Sequence, residues 1–199
     1  MKSAWRNLLK HKTYMLINLF GLTLGLSVSI FILFFVRDEF NYDKFLPGYE
    51  QVCRIQFLVT TEEDEEEWAT TEGFMIPQMV SQFPEIEAAT RILKQDDEFF
   101  LKTETERFAQ DGFIAVDSTF FRVFPFKFIY GDPRTALSTA NSIVITREVA
   151  KKFFGDVDPI GKVLTADHGD LIVDGVVEDV PKASHFHFKV AFPLKFWWN

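Results

Sequence analysis

Leu16 to Phe45 reads LINLFGLTLGLSVSIFILFFVRDEFNYDKF, an apolar run that passes straight into a cluster of charges. From Tyr14 to Val36 there are 23 residues without one charged side chain. As a helix rising about 1.5 Å per residue this stretch is about 35 Å long, against a bilayer hydrocarbon core of about 30 Å. A secretory signal has a shorter apolar region with a small-residue cleavage site behind it, whereas Arg37-Asp38-Glu39-Phe40 follows here. A core helix of a soluble domain carries a regular polar stripe, and only Asn18, Thr23, Ser27 and Ser29 interrupt this run. The sequence therefore predicts an uncleaved transmembrane helix over residues 14 to 36.

The flanks set its direction. Lys2, Arg6, Lys10 and Lys12 precede the helix, while Asp38, Glu39 and Asp43 crowd behind it. Positive flanks stay on the cytoplasmic side, so the chain is expected to be single-pass, with its N-terminus inside and residues 37 to 199 outside. Residues 1 to 13 form a cytoplasmic basic segment. It reads either as a short amphipathic helix along the headgroups, with Ala4, Trp5, Leu8 and Leu9 on one side, or as an irregular basic tail. Within the span, Gly21, Gly25 and Ser29 recur at four-residue intervals. Small residues on one helix face admit a second backbone at close range, which makes these three the candidate helix-packing residues.

The whole chain carries a formal charge of −8, and its first 36 residues contribute four positive and no negative charges, which leaves −12 beyond them. With Lys and Arg dispersed among acids, a nucleic-acid partner is not expected. The apolar content outside the span is dominated by aromatics; the chain has 24 Phe, each bringing a large area to bury. Cys53 is the single cysteine, so no intrachain disulfide can form. Val52 to Thr60 alternates as a half-buried strand, which would turn Cys53 inward as a small core residue.

Further along, Glu62 to Glu67 is a run of six acids that reads as a solvated turn. Met75 to Phe83 suggests a short helix that stops before Pro84. Ala89 to Lys94, Glu98 to Lys102 and Arg107 to Val116 read as strands. Asp117 or Ser118 is placed to cap a helix in STFFRVF, with Phe120, Phe121 and Phe124 toward the core. In NSIVITREVAKKFFGDVDPIGKVL, Ser142 to Ile145 is a strand, Thr146 a helix cap and Gly155 the stop. Glu148 early in that helix and Lys151 and Lys152 late in it suit its dipole. Asp158 to Gly161 has the residues of a type I turn. Val163 to Ala166 and Leu171 to Val177 then form a hairpin.

HFHFKVAF, His185 to Phe192, alternates strictly and is read as a last strand with Phe186, Phe188, Val190 and Phe192 inward. Two histidines two apart on a strand can share a metal. A zinc site needs a further ligand, and His168 and Asp174 are not placed by spacing. An exposed polar strand face is the favoured reading of His185 and His187; a metal-dependent hydrolase would require stoichiometric zinc. No Gly-rich phosphate loop, no Ser-His-Asp spacing and no Cys nucleophile with a plausible base is recognisable. The expectation is a protein that is not an enzyme, with no cofactor, no catalytic residue and no metal ligand.

Five ordered stretches carry a family resemblance: WRNLLKHKTYMLINLFGLTLGLS, VRDEFNYDKF, VDSTFFRVFPFKFIYGDPRTAL, NSIVITREVAKKFFGDVDPIGK and VDGVVEDVPKASHFHF. In that order, over nearly the whole chain, they resemble the N-terminal part of MacB-like, FtsX-like permeases of ABC transporters, of the Bacteroidota type. The resemblance implies an α+β fold: the permease's first transmembrane helix, then a mixed α/β MacB-like periplasmic core domain, residues 37 to 199, with a more β-rich lobe. It implies placement in the inner membrane, with the main domain in the periplasm. It further implies a cytoplasmic ABC ATPase subunit as partner, together with the remaining permease helices or a second permease copy, the lipid bilayer and periplasmic proteins. A full permease has three further membrane helices and the rest of the core domain, so the chain is expected to be a permease fragment, incomplete at its C-terminus. In this reading the periplasmic domain passes on ATPase motion or contacts exported partners. The alternative from another class is a stand-alone membrane-anchored binding or sensor module.

Overall fold

The structure, a computed structural model, describes residues 12–60, 65–68, 70, 72–95, 99–103, 107–166 and 169–197. The chain divides into two compact units, one ending at Tyr42 and one beginning at Asp43. The first unit is a single helix, α1 (Lys12–Glu39), which contains the whole expected span. By length and composition it can cross a membrane. Its hydroxyls turn back on its own backbone: Thr23, Ser27 and Ser29 donate to the carbonyls of Leu19, Thr23 and Gly25, four residues earlier. A hydroxyl bonded in this way asks nothing of its surroundings, so it is tolerated where no water is present. Apart from Lys12 and Thr13, the basic segment 1–13 lies outside the described residues.

The second unit starts with a turn, Asp43 to Gly48, and one turn of 3-10 helix, Tyr49–Gln51. Strand β1 (Phe57–Thr60) pairs antiparallel with β2 (Glu65–Trp68). Pairing begins five residues later than the alternation from Val52 suggested. Cys53 precedes the strand and is exposed, contrary to the inward position expected of it. The acid run does not end as a turn either, because Glu65 to Glu67 belong to β2; residues 62–64 lie outside the described residues. Strand pairing needs only backbone groups, so a charged sequence can complete a ribbon. Helix α2 (Met75–Gln82) follows where expected.

The remaining strands make one mixed sheet: β3 (Ile92–Gln95), β4 (Phe99–Lys102), β5 (Arg107–Gln110), β6 (Phe113–Val116), β7 (Phe128–Tyr130), β8 (Ser142–Thr146), β9 (Val163–Ala166), β10 (Gly169–Val177) and β11 (Val190–Pro193). Their order is β3-β6-β11-β8-β10-β9-β4-β5, with β7 on the end of β10. β6 with β11 and β8 with β10 are parallel; the other pairs are antiparallel. This is the α+β architecture that the resemblance implied.

Three local readings change. The single strand expected over Arg107 to Val116 is two, parted at Asp111-Gly112, where Gly112 has φ +73. The two halves serve opposite ends of the sheet. The last strand is shorter than HFHFKVAF, since only Val190–Pro193 pairs, and all four of those residues are buried. β11 lies between β6 and β8 with both its faces covered, and a doubly covered strand shows a continuous apolar run rather than alternation. Finally, the turn after Asp158 is displaced by one residue. Lys162 N–H donates to the Pro159 carbonyl, Gly161 at φ +77 takes the third position, and the Asp158 carboxylate accepts from Ile160 N–H. Gly161 N–H is spent on Val173 of β10, which draws the turn onto the sheet.

The sheet has a core on each face. On one, Phe113, Ala115, Ile143, Ile145, Leu164 and Leu171 pack with Val149 and Ala150 of α4 (Arg147–Phe154) and Leu194 of α5 (Leu194–Trp197). On the other, Ile114, Val116, Val144 and Ala191 are covered by Phe120 and Phe121 of α3 (Phe120–Val123), together with Phe126, Phe188 and Leu46. The second face is covered over only part of its width. The register puts Phe100, Val163 and Ile172 on its far side, where all three are exposed.

Candidate functional site

The second unit begins at a set of long-range polar contacts. Asp43 adopts φ +55, a left-handed conformation that a non-glycine residue enters only at some energetic cost. Its carboxylate accepts three hydrogen bonds from segment 183–186, more than 140 residues away in sequence: Ser184 Oγ at 2.8 Å, His185 N–H at 3.0 Å and His185 Nδ1 at 2.7 Å. Its own N–H donates to the Ala183 carbonyl at 3.1 Å. Ser184 is buried, and its Oγ also accepts from Phe186 N–H. Burial alone would push the Asp43 carboxyl up, but the bonds from His185 and Ser184 outweigh it and hold the group below the ordinary carboxylate range. The contact between Nδ1 and the Asp43 carboxylate fixes the His185 ring.

Residues next to Asp43 finish the joint with apolar contacts. Leu46 is buried in the aromatic core, and the Phe45 ring lies 5.8 Å from that of Phe126. Phe126 in turn meets Phe186 at 5.9 Å and Phe188 at 5.1 Å, so the segment that bonds Asp43 and the residues that follow Asp43 share one cluster. At its centre is Phe120, fully buried, with ring contacts to Phe121, Phe124, Phe126, Phe186 and Phe188. Edge-to-face and tilted pairs of this kind add about 0.5–1.5 kcal/mol each beyond the area they bury. Asp43, by charge, and Phe45 and Leu46, by packing, therefore fix the start of the unit to its interior.

A second clamp uses the same logic. Asp117, read from sequence as a helix cap, instead accepts from Arg91 Nε at 2.8 Å, Arg91 Nη2 at 2.6 Å and Arg91 N–H at 2.9 Å. Arg91 Nη1 reaches the Gly73 carbonyl at 2.9 Å, tying the entry to α2 onto the sheet edge. These bonds to Asp117 raise the Arg91 guanidinium further above its ordinary value. α3 starts at Thr119, whose hydroxyl donates to Ala89 rather than to its own helix. Thr146, the other expected cap, also makes no capping bond, and its buried Oγ1 has no hydrogen-bond partner among the described residues. Asp179 caps α4 instead, its carboxylate accepting from Glu148 N–H at 2.8 Å. Both caps were sought within their own segments, and both carboxylates act across the fold.

The other residues singled out by sequence are not brought together. Gly21, Gly25 and Ser29 lie on α1 as the spacing required, and a methyl group added at Gly21 or Gly25 would meet nothing within 4 Å. His185 is committed to Asp43, while His187 is exposed on a segment that is not a strand. Asp174 accepts from Leu137 N–H, and His168 lies outside the described residues. Among the described residues no three His, Cys, Asp or Glu side chains gather as metal ligands. The Asp43 joint itself was missed. Its only sequence signal was the position of Asp43 in NYDKF, and nothing local indicates a partner near residue 184.

Residues 15–198 match the family described as the MacB-like periplasmic core domain. Among solved structures, the chain is similar to a domain of a protein described as a permease from Porphyromonas gingivalis. The TM-score is 0.65 and the identity 21% over 77% of this chain and 66% of that one, a likeness of fold. It also matches the periplasmic region of MacB from Actinobacillus actinomycetemcomitans, with TM-score 0.47, 15% identity, and coverage of 75% of this chain and 61% of that one. For the extracellular domain of the noncanonic ABC-type transporter YknZ from Gram-positive bacteria, the values are 0.43, 16%, 69% and 71%. The chain thus spans slightly less than two thirds of the length of the first two. No curated protein matches it.

Proposed function

The chain belongs to the MacB-like periplasmic core domain family, and from that membership we propose that it serves an ABC transporter as the first membrane helix and periplasmic domain of a permease. α1 crosses the inner membrane with its basic end in the cytoplasm, where a separate ATPase subunit drives it. Partner helices, from the same permease or a second copy, approach along Gly21, Gly25 and Ser29. The periplasmic domain takes up the motion of the helix and passes it on to exported or periplasmic proteins.

The observation that carries this reading is the Asp43 joint. The chain enters the second unit at Asp43, four residues after α1 ends, and Asp43 is bound to that unit's own interior, so a pull on this residue would act on the domain directly. Two experiments test the proposal. Alkaline carbonate washing of membranes should leave the full chain in the pellet. Mild-detergent extraction and affinity capture should recover an ABC ATPase, and Gly21→Leu with Gly25→Leu should remove that association. Release by carbonate, or capture unaffected by both leucines, would contradict the reading.

A further inference from the structure

We propose that the face of the domain around the Asp43 joint rests on anionic lipid headgroups, with Lys44 and Lys182 as its charged contacts and Phe45 as its apolar one; the inference rests on the membrane-anchored reading of α1. The first support is chain length. From Val36, the last apolar residue of the span, to the end of α1 is about 4.5 Å of helix, and the four residues from Phe40 to Asp43 add at most about 14 Å. Asn41 and Tyr42 N–H bond back to Asp38 and Glu39, which shortens that reach. Asp43, and with it the Ser184-His185 segment it holds, is therefore confined to within about 19 Å of the hydrocarbon edge, of which the headgroup layer takes about 5–8 Å.

The second support is charge. The chain beyond the span carries −12 in total, yet from Val180 to Asn199 there is no acid. On this face Lys44 and Lys182 are exposed, and among the described residues neither forms an ion pair. Lys127 and Lys189 are instead paired within the fold, with Glu178 and Asp111. His185 and His187 add exposed imidazoles to the same segment. The acids of the same unit nearest in sequence are Asp43, consumed by its three bonds, Glu50, which accepts from Tyr49, Glu178, paired with Lys127, and Asp179, which caps α4. Phe45 is 38% exposed beside the joint, and aromatic rings settle readily at headgroup depth. An acidic domain would be repelled by an anionic membrane, and the available positive charge is placed where the tether brings it to the surface.

The test uses the full chain in nanodiscs. In a Cys53→Ser background, a fluorophore is attached through Pro181→Cys, exposed beside Lys182, or through Val157→Cys as a control. Val157 is 61% exposed and follows α4, which packs on the opposite face of the sheet. Quenching by lipid carrying a nitroxide on its headgroup is then read in phosphatidylcholine discs with and without phosphatidylglycerol. Strong quenching at 181 with phosphatidylglycerol, well above that at 157, is expected. Lys44→Gln and Lys182→Gln should each lower the docked-to-free ratio about five-fold. Quenching at 181 no greater than at 157, or indifferent to both phosphatidylglycerol and the lysines, would overturn the inference. Carbonate release of the chain would overturn the anchored reading with it, whereas retention with an unquenched 181 removes the headgroup contact alone.

Discussion

The two faces of the sheet are covered in different ways. One is packed by α4, which follows β8 without an intervening residue, so that Ser142 to Phe154 builds a strand and its covering helix from adjoining sequence. The other is assembled from Leu46, Phe120, Phe121, Phe126 and Phe188, segments spread over more than 140 residues and closed by Asp43 on Ser184 and His185. The first face takes part of its cover from sequence adjoining one of its strands. The second exists only when the start and the end of the domain have met.

The contrast can be broken most severely at Phe120. Phe120→Ala removes the hub of five ring contacts and leaves a cavity, at a cost of about 3–5 kcal/mol, read as a drop in urea midpoint for the full chain in micelles. It should also raise hydrogen exchange at Phe186 and Phe188 while leaving the amides of α4 close to the global rate; equal loosening on both faces would contradict the division. Next comes Gly131, at φ +88, where an added Cβ would stand 2.5 Å from the Asp174 carbonyl and 2.9 Å from Gly175 Cα. Neither neighbour is a flexible side chain, so Gly131→Ala is expected to cost about 1–3 kcal/mol by the same denaturation measurement.

A smaller effect separates the faces by pH. Since the folded Asp43 carboxyl titrates below its unfolded value, its contribution is complete above the unfolded carboxylate pKa of about 3.9 and is lost as pH falls through the lower folded value. Comparing stability from pH 7 down to pH 3, the parent should lose its advantage over Asp43→Asn in that acid range. A constant difference would exclude the joint as a titrating contact. On the locally built face, Asp179→Ala deletes the cap of α4 at about 1 kcal/mol. Thr146→Val, which replaces a buried hydroxyl without a partner among the described residues by a methyl group, should change the midpoint by less than about 0.5 kcal/mol, or raise it.

The same division explains what could be read from sequence. α1, α2, β8 and α4 are legible because length, periodicity and Gly155 act within a few residues. The membrane helix is the clearest of all, since nothing in the chain but its own composition determines it. Where a reading failed, the deciding contact was distant. Asp117 left its helix for Arg91, Thr146 yielded its cap to Asp179, and β11 lost its alternation by lying between β6 and β8. His185 resembled half of a metal pair until Asp43 was found against it. Cys53 looked inward only while its segment was taken as a strand.

A double-mutant cycle tests the joint most directly. Asp43→Ala is expected to cost about 1–3 kcal/mol, His185→Ala less, and the pair together less than their sum, with a coupling of at least about 1 kcal/mol. Such coupling would mean that the residue joining the helix to the domain is held by the far end of the fold. Additivity within about 0.5 kcal/mol would mean that Asp43 is not held there, and the joint would be refuted.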